Sequence, residues 1–487
     1  MEQLNLKNKN KAFSTIELMI AMAIMVLVLT AVVMTSFGSQ SFLIGSQTNA
    51  EAMKHAQALE EEQQALARKD FNLVNSKEEV EDGIFKKSVQ VKLLDDFLTK
   101  EVTTIVRWTN ERKIEQSVEL TTLITNFDNA IGGNTCASNL TGDWSQPRIT
   151  ETYDFSSGTY LTDIDAYHGK LYATAGKTST KTDPTFFVFK INDDNISYQG
   201  GVDTSGATVS SGGPNALVVA KNYAYLANGY GADFNACTPE GPNCSQLQVI
   251  NLSNNNPSIL KNYKLSNILT AIGGAGNSIF YKNGYVYLGL TSTGNSESEF
   301  NIIDVHTPNS PINLGPGIDI GNNAINSILV KGKYAYLATA DSAEKLKVVD
   351  ISNPSSPKKV SGFVGQGVYG KSIFGVGDSI YFGTTKNLNP ASYYVLNAVK
   401  PENIEVVPLI EKSFSSSING IIVRDTLAFI LTKNTLEIIN AKDASSVASI
   451  PLSGNTNTFE PSFDCEGNYL YITSGNKIDV ITSTQTP

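Results

Sequence analysis

The stretch Gly332-Lys333-Tyr334-Ala335-Tyr336-Leu337-Ala338 decides how most of this chain is read. A glycine and a lysine make a turn, and the aromatic and small apolar residues after it suit a half-buried strand. The same pattern recurs as KLYAT from Lys170, YAYLA from Tyr223, YVYLG from Tyr285, SIYFG from Ser379, LAFIL from Leu427 and YLYIT from Tyr469. Aligned on the central aromatic, the copies are Tyr172, Tyr225, Tyr287, Tyr336, Tyr381, Phe429 and Tyr471, separated by 53, 62, 49, 45, 48 and 42 residues. Seven units follow one another.

A second signature trails each copy: FVFKI (187–191), LQVINL (247–252), FNIIDV (300–305), LKVVDI (346–351), YYVLNA (393–398), LEIINA (436–441) and KIDVI (477–481). Two short β-rich segments per unit, each introduced by a turn, describe a small antiparallel sheet, and a period of about 40 to 50 residues with four strands per unit is that of a β-propeller. The spacing predicts seven blades over residues 147–482. The last unit ends just after its third strand, whereas PRITETYDF (147–155) precedes the first complete unit and has the character of the missing fourth. Pairing of the two would shut the ring without free edges.

Outside the repeats the chain changes character. Of its 487 residues, all 6 Met lie at or before Met53 and all 17 Pro at or after Pro147, so a helical N-terminal part precedes a turn-rich one. The compositional break lies near residue 145. A net charge of −10 with 17% charged and 41% hydrophobic residues excludes wholesale disorder and a basic nucleic-acid binder, so no nucleic-acid partner is expected.

Residues 13–33, FSTIELMIAMAIMVLVLTAVV, are long enough at 1.5 Å per residue to cross a bilayer. Lys7, Lys9 and Lys11 precede the run and hold the N-terminus in the cytoplasm under the positive-inside rule. Within it stands Glu17, and a carboxylate at that depth costs about 2.5 to 3.5 kcal/mol on insertion scales. It needs a compensating cation.

The stretch Lys11-Ala12-Phe13-Ser14-Thr15-Ile16-Glu17-Leu18 resembles the type IV prepilin signal. The resemblance implies cleavage by a prepilin peptidase between Ala12 and Phe13, N-methylation of Phe13, and a Glu17 that sets filament assembly by meeting the amine of a neighbouring subunit. The family has Gly where this chain has Ala12, which predicts slower processing. It also implies other pilin subunits as partners through the N-terminal helix. The precursor would sit in the bacterial inner membrane, single-pass, and the mature chain in a cell-surface filament. A second resemblance lies in the repeats, where the Tyr336 unit with Asp350-Ile351-Ser352-Asn353-Pro354 is similar to the LVIVD repeat of bacterial surface propellers.

Residues 49–68, rich in Ala, Glu, Gln and Leu, continue the helix to about residue 68, with Gly38 and Gly45 as loose points. Ser88–Leu94, Val102–Thr109 and Ile114–Leu123 read as three strands, an order of helix and meander that resembles pilins. The organisation expected is a leader (1–12), a long helix (13–68, with 13–37 in the membrane or filament core), a β-meander (69–130), a linker (131–146), the propeller and a tail (483–487). The fold class expected is thus an α+β pilin-like module, a long helix plus a small antiparallel sheet, followed by an all-β seven-bladed propeller.

Four Cys suit disulfides outside the cytoplasm. Cys237 and Cys244 flank a Pro/Gly loop that closes locally, which leaves Cys136 with Cys465. No zinc spacing and no His cluster is present: His55 sits on the helix, His168 beside Gly169, and His306 after Asp304-Val305. Asp203, Asp341 and Glu344 read as solvated loop acids, Tyr230 as a loop aromatic able to meet a ligand, and Gly273-Gly274-Ala275-Gly276 as a turn without the helix a phosphate site needs. No catalytic residue, metal or cofactor is expected. The reading is a minor or tip subunit of a type IV pilus-like filament that displays a propeller for adhesion or for binding a protein or glycan on an extracellular surface. A pseudopilin of a secretion or DNA-uptake system and a membrane-anchored surface enzyme are the alternatives.

Overall fold

A computed structural model describes the backbone of residues 15–69, 73–93, 99–110, 113–125, 136, 140–156, 158–177, 184–204, 213–229, 245–253, 256–266, 274–293, 297–386, 390–454 and 460–484. It divides into two compact units, Met1–Phe127 and Asp128–Pro487.

In the first unit, helix α1 (Thr15–Lys69) precedes a four-stranded antiparallel meander of β1 (Lys77–Asp82), β2 (Phe85–Leu93), β3 (Thr99–Thr109) and β4 (Glu115–Thr125). Ala52 and Ala56 have no bulk to hold the helix off, so it lies close on the sheet over Phe85, Val106 and Trp108. Thr104 on β3 reaches the Ala56 carbonyl at 3.2 Å. Strand β1, KEEVED, is exposed throughout and tied down by ions, with Arg107 meeting Glu79 at 3.1 Å. Charge on an edge strand discourages pairing with other chains.

The expected fold class is corrected here. The described chain is a strand protein, eight four-stranded sheets beside α1, and its first sheet has four strands where the sequence reading had three. The missed strand carries no alternation of apolar and polar residues, which is the signal a reader follows. Among the described residues no helix is long and apolar enough to cross a membrane, and the α+β pilin-like assignment of this module does not stand. Ala12 and Phe13 lie outside the described residues. Glu17 falls within α1, its side chain outside the description.

The second unit holds seven four-stranded antiparallel sheets. Six are continuous in sequence, and their innermost strands are Thr159–Tyr167, Pro214–Ala220, Gly276–Lys282, Ile325–Lys331, Gly370–Val376 and Ile418–Arg424, in blades 1 to 6. Blade 7 has inner strand Phe463–Glu466, then Tyr469–Ser474 and Lys477–Thr484. Its outer strand is β5 (Asp143–Asp154), from the other end of the unit, with Lys477 opposite Asp154 and Thr484 opposite Asp143.

The repeated aromatic explains the stacking of blades. On every second strand it faces a β-branched residue of the third: Tyr172 opposite Val188, Tyr225 opposite Val249, Tyr287 opposite Ile302, Tyr336 opposite Val348, Tyr381 opposite Val395, Phe429 opposite Ile438 and Tyr471 opposite Val480. Each pair covers the next blade. Tyr172 joins Leu217 and Val219, Tyr336 joins Phe382, and Tyr471 joins Leu161 and Ile164 of blade 1, which completes the circle.

Candidate functional site: the mouth of the ring

Six inner strands open with a β-bulge at one residue: Thr162, Asn215, Asn277, Asn326, Lys371 and Asn419. A bulge turns its extra residue out of the pleat and re-aims the side chain. Six bulges at one level therefore place a polar ring at the end of the central channel, around a cavity of about 400 Å³ that Asp163, Glu460, Pro461 and Ser462 also line.

Most of the ring is spent on structure. An innermost strand has one edge without a ladder partner, and its backbone groups need partners elsewhere. Thr162 donates to the Pro214 carbonyl at 2.6 Å, Asn215 to Gly276 at 2.8 Å, Asn277 to Ile325 at 2.8 Å and Asn326 to Gly370 at 2.7 Å, each reaching one blade onward. Gly276 is needed for this approach, since a Cβ there would lie 2.4 Å from the Gln246 carbonyl. From blade 5 the link is made by Ser372, whose hydroxyl donates to Ile418 at 3.1 Å, while Lys371 turns to Glu460. Asn419 differs: both of its amide atoms are shut from solvent and neither has a hydrogen-bond partner among the described residues.

Deeper in the channel the seam between blades 7, 1 and 2 is acidic. Asp163 accepts from the Leu217 N–H at 2.7 Å and the Ser462 hydroxyl at 2.5 Å, and Asp165 accepts from the Val219 N–H at 2.6 Å. Asp464 accepts from the Ala166 N–H at 2.8 Å and Glu466 from the Gly169 N–H at 2.7 Å. Burial pushes Asp163 up to about 6 despite these bonds. Asp165 and Asp464 also rise, through burial first and, for Asp165, the neighbouring Asp464 charge. Burial pulls Arg424 down to about 10, against the pull of Asp464. These acids bind strand to strand, which is their evident work.

The chain joins the ring at the opposite end. Cys136 forms a disulfide with Cys465, Cα to Cα 5.1 Å, and pairs as an isolated bridge with Gly467 at the turn end of the blade 7 inner strand. Asn468 then grips Thr141, accepting from its N–H at 3.1 Å and donating to its carbonyl at 3.0 Å. The mouth lies at the other end of the inner strands, where the loops preceding each inner strand emerge.

The residues singled out from sequence lie elsewhere. His55 packs on Phe85 at 5.0 Å, His168 edge-on to Tyr167 at 4.2 Å, and His306 meets Asp304 at 2.8 Å, each with its own local partner. Asp341 accepts from the buried Lys347 ammonium at 2.7 Å and Glu344 pairs with Lys359, while Asp203 follows the outer strand of blade 1. Gly274 carries a φ of +73° just before the blade 3 inner strand. Tyr230, Cys237 and Cys244 lie outside the described residues. The sequence reading missed the mouth, although the signal was there: each bulge residue stands ten positions before its blade's central aromatic, and in blade 7 that position is Pro461.

Residues 324–363, the span of blade 4, match the LVIVD repeat. The chain carries a β-propeller with an LVIVD repeat. No curated protein sequence matches the chain. Among solved structures it is similar to the WD40 β-propeller domain of Doa1, at 13% identity and a TM-score of 0.47 over 69% of this chain and 97% of that one. It is also similar to a putative 6-phosphogluconolactonase from Bacteroides uniformis, at 10% and 0.44 over 72% and 92%, and to the AfRom2 CNH domain, at 10% and 0.41 over 70% and 100%.

Proposed function

We propose that this chain is a minor or tip subunit of a type IV pilus-like filament, a binding protein rather than an enzyme, that holds its propeller outward for adhesion or for capture of a protein or glycan. The observation that carries the reading is the opposition of the two ends of the ring: the chain is pinned by Cys136–Cys465 at one end, and the open polar mouth is at the other. A disulfide accords with an exported compartment.

The N-terminal segment adds support. The described side chains between Met22 and Met34 are exposed all round α1, Leu27 at 71% and Met34 at 70%, an apolar surface that in water calls for a lipid or protein cover. With the Lys11-to-Leu18 signal ahead of it, a membrane before assembly and a bundle of like helices after it are the covers proposed. About 340 residues of propeller on every subunit would crowd a tightly wound filament, so sparse or terminal placement follows. The test is mass spectrometry of the mature N-terminus with immunoblotting of sheared surface fractions. N-methyl-Phe13 in the sheared fraction is expected; an uncut Met1 leader, or a protein confined to the membrane fraction, refutes the reading.

A further inference from the structure

We infer that the propeller mouth binds the C-terminal end of a polypeptide, with the Asn419 side-chain amide pairing to a main-chain amide and Lys371 receiving the terminal carboxylate. The inference rests on the propeller being a binding module, though not on how it is anchored.

It starts from a comparison the ring makes with itself. Four of the six bulge side chains donate to the next blade's carbonyl, and Asn419, at the same level of an equivalent strand, does not. An amide enclosed without partners forfeits the hydrogen bonds it had in water and returns nothing to the fold. Alanine or serine would avoid the loss, and a residue that breaks a local rule its neighbours keep is expected at a binding site. Lys371, one blade back, is the other member that leaves the ring. Its partner Glu460 is half exposed, so another carboxylate can replace it without stranding a buried charge.

The donor set names the ligand. A primary amide offers a donor and an acceptor side by side in one plane, and the group that answers both is another amide. A peptide end supplies that amide next to a carboxylate, and Asn419 and Lys371 line the same cavity from neighbouring blades. A sugar ring would want a flat apolar face to rest on, and the apolar lining residues are Ala216, Ile279, Ile328 and Pro461, none aromatic. A cavity of about 400 Å³ admits a few residues and not a folded domain.

The test is calorimetric titration of the full chain in detergent with triglycine, triglycinamide and N-acetylglucosamine. Triglycine is expected to bind, triglycinamide at least tenfold more weakly, and N-acetylglucosamine not at all. Asn419→Ala should weaken triglycine at least tenfold while leaving the unfolding midpoint unchanged or higher, and Lys371→Gln should erase the preference for the free carboxylate. As a readout that needs no variant, the Asn419 side-chain amide resonance should move on addition of triglycine. Absence of triglycine binding, binding indifferent to Asn419→Ala, or a sugar held in its place overturns the inference. Triglycine bound by a protein that never reaches filaments would sink the display reading alone.

Discussion

Asp163→Asn should make the ring more stable at neutral pH. Asp163 sits at the seam of blades 7, 1 and 2, and burial raises it from 3.8 to about 6. A carboxyl whose folded value is raised contributes stability that is whole below about 3.8 and is lost as pH climbs through about 6. The full displacement is worth roughly 3 kcal/mol, and between pH 7.5 and pH 5 this one group returns about 1.4 kcal/mol. With a urea dependence of roughly 3 kcal/mol per molar for a domain of this size, the midpoint should rise by about half a molar on acidification. Asp165 and Asp464 are raised too and add to the rise, while Arg424 stays charged across the window. Asp143, Asp350 and Asp443 are held low by hydrogen bonds to Ser145, Ser352 and Ser445 and pull the other way, but they face water and their effect is screened. The chain has two tryptophans, and Trp108→Phe would leave Trp144, buried edge-on against Phe429 at 4.9 Å, as the reporter of blade 7. Asparagine can still accept from the Leu217 N–H, so the variant should show the higher midpoint already at pH 7.5 and a flatter pH profile. A midpoint that falls on acidification from 7.5 to 5, or a destabilised Asp163→Asn at pH 7.5, refutes the reasoning.

Three further outcomes are expected. Tyr336→Ala, at a side chain 1% exposed between blades 4 and 5, should lower stability by about 3 to 5 kcal/mol in urea titrations. Asn277→Ala should cost about 1 kcal/mol, the loss of one inter-blade hydrogen bond, where Asn419→Ala costs nothing. A chain that begins at Phe155 lacks β5, leaves the Lys477–Thr484 edge unpaired, and should aggregate on size exclusion where the longer protein does not.

The propeller was legible because its aromatic has two jobs that both leave a mark on composition: it pairs across the sheet with a branched residue and it fills the space to the next blade. Tyr336, for example, does both with Val348 and Phe382. The mouth was harder to read. Asn215, Asn277, Asn326 and Asn419 repeat in register, but Asn before a strand reads as turn chemistry, and only the bulge shows that the side chain points into the channel. The acidic seam left no local trace, because Asp163 and Asp464 are 301 positions apart and meet only when the ring closes. Strand β1 was lost for the opposite reason, being too polar to look like a strand at all.

Weak point and staple coincide in this ring, and that juxtaposition can be tested. Blades 2 to 6 follow one another along the chain, so each neighbour is held near by a short connection. Blade 7 is joined to blade 1 only through its outer strand β5, while the inner strands of the two blades come from opposite ends of the unit and meet through carboxylates that burial pushes up. The Cys136–Cys465 disulfide and β5 join there, across 329 positions of sequence, and a loop of that size makes the bridge worth roughly 6 kcal/mol on the chain-entropy argument. If the staple offsets the acid seam, removing both should hurt less than removing the staple alone. Cys136→Ser should lower the Trp144 midpoint most at pH 7.5 and less at pH 5, and Asp163→Asn in the same chain should recover part of the loss at pH 7.5. A Cys136→Ser deficit equal at both pH values, with no recovery by Asp163→Asn, would mean that the disulfide secures only the segment before β5 and that the ring closes without its help.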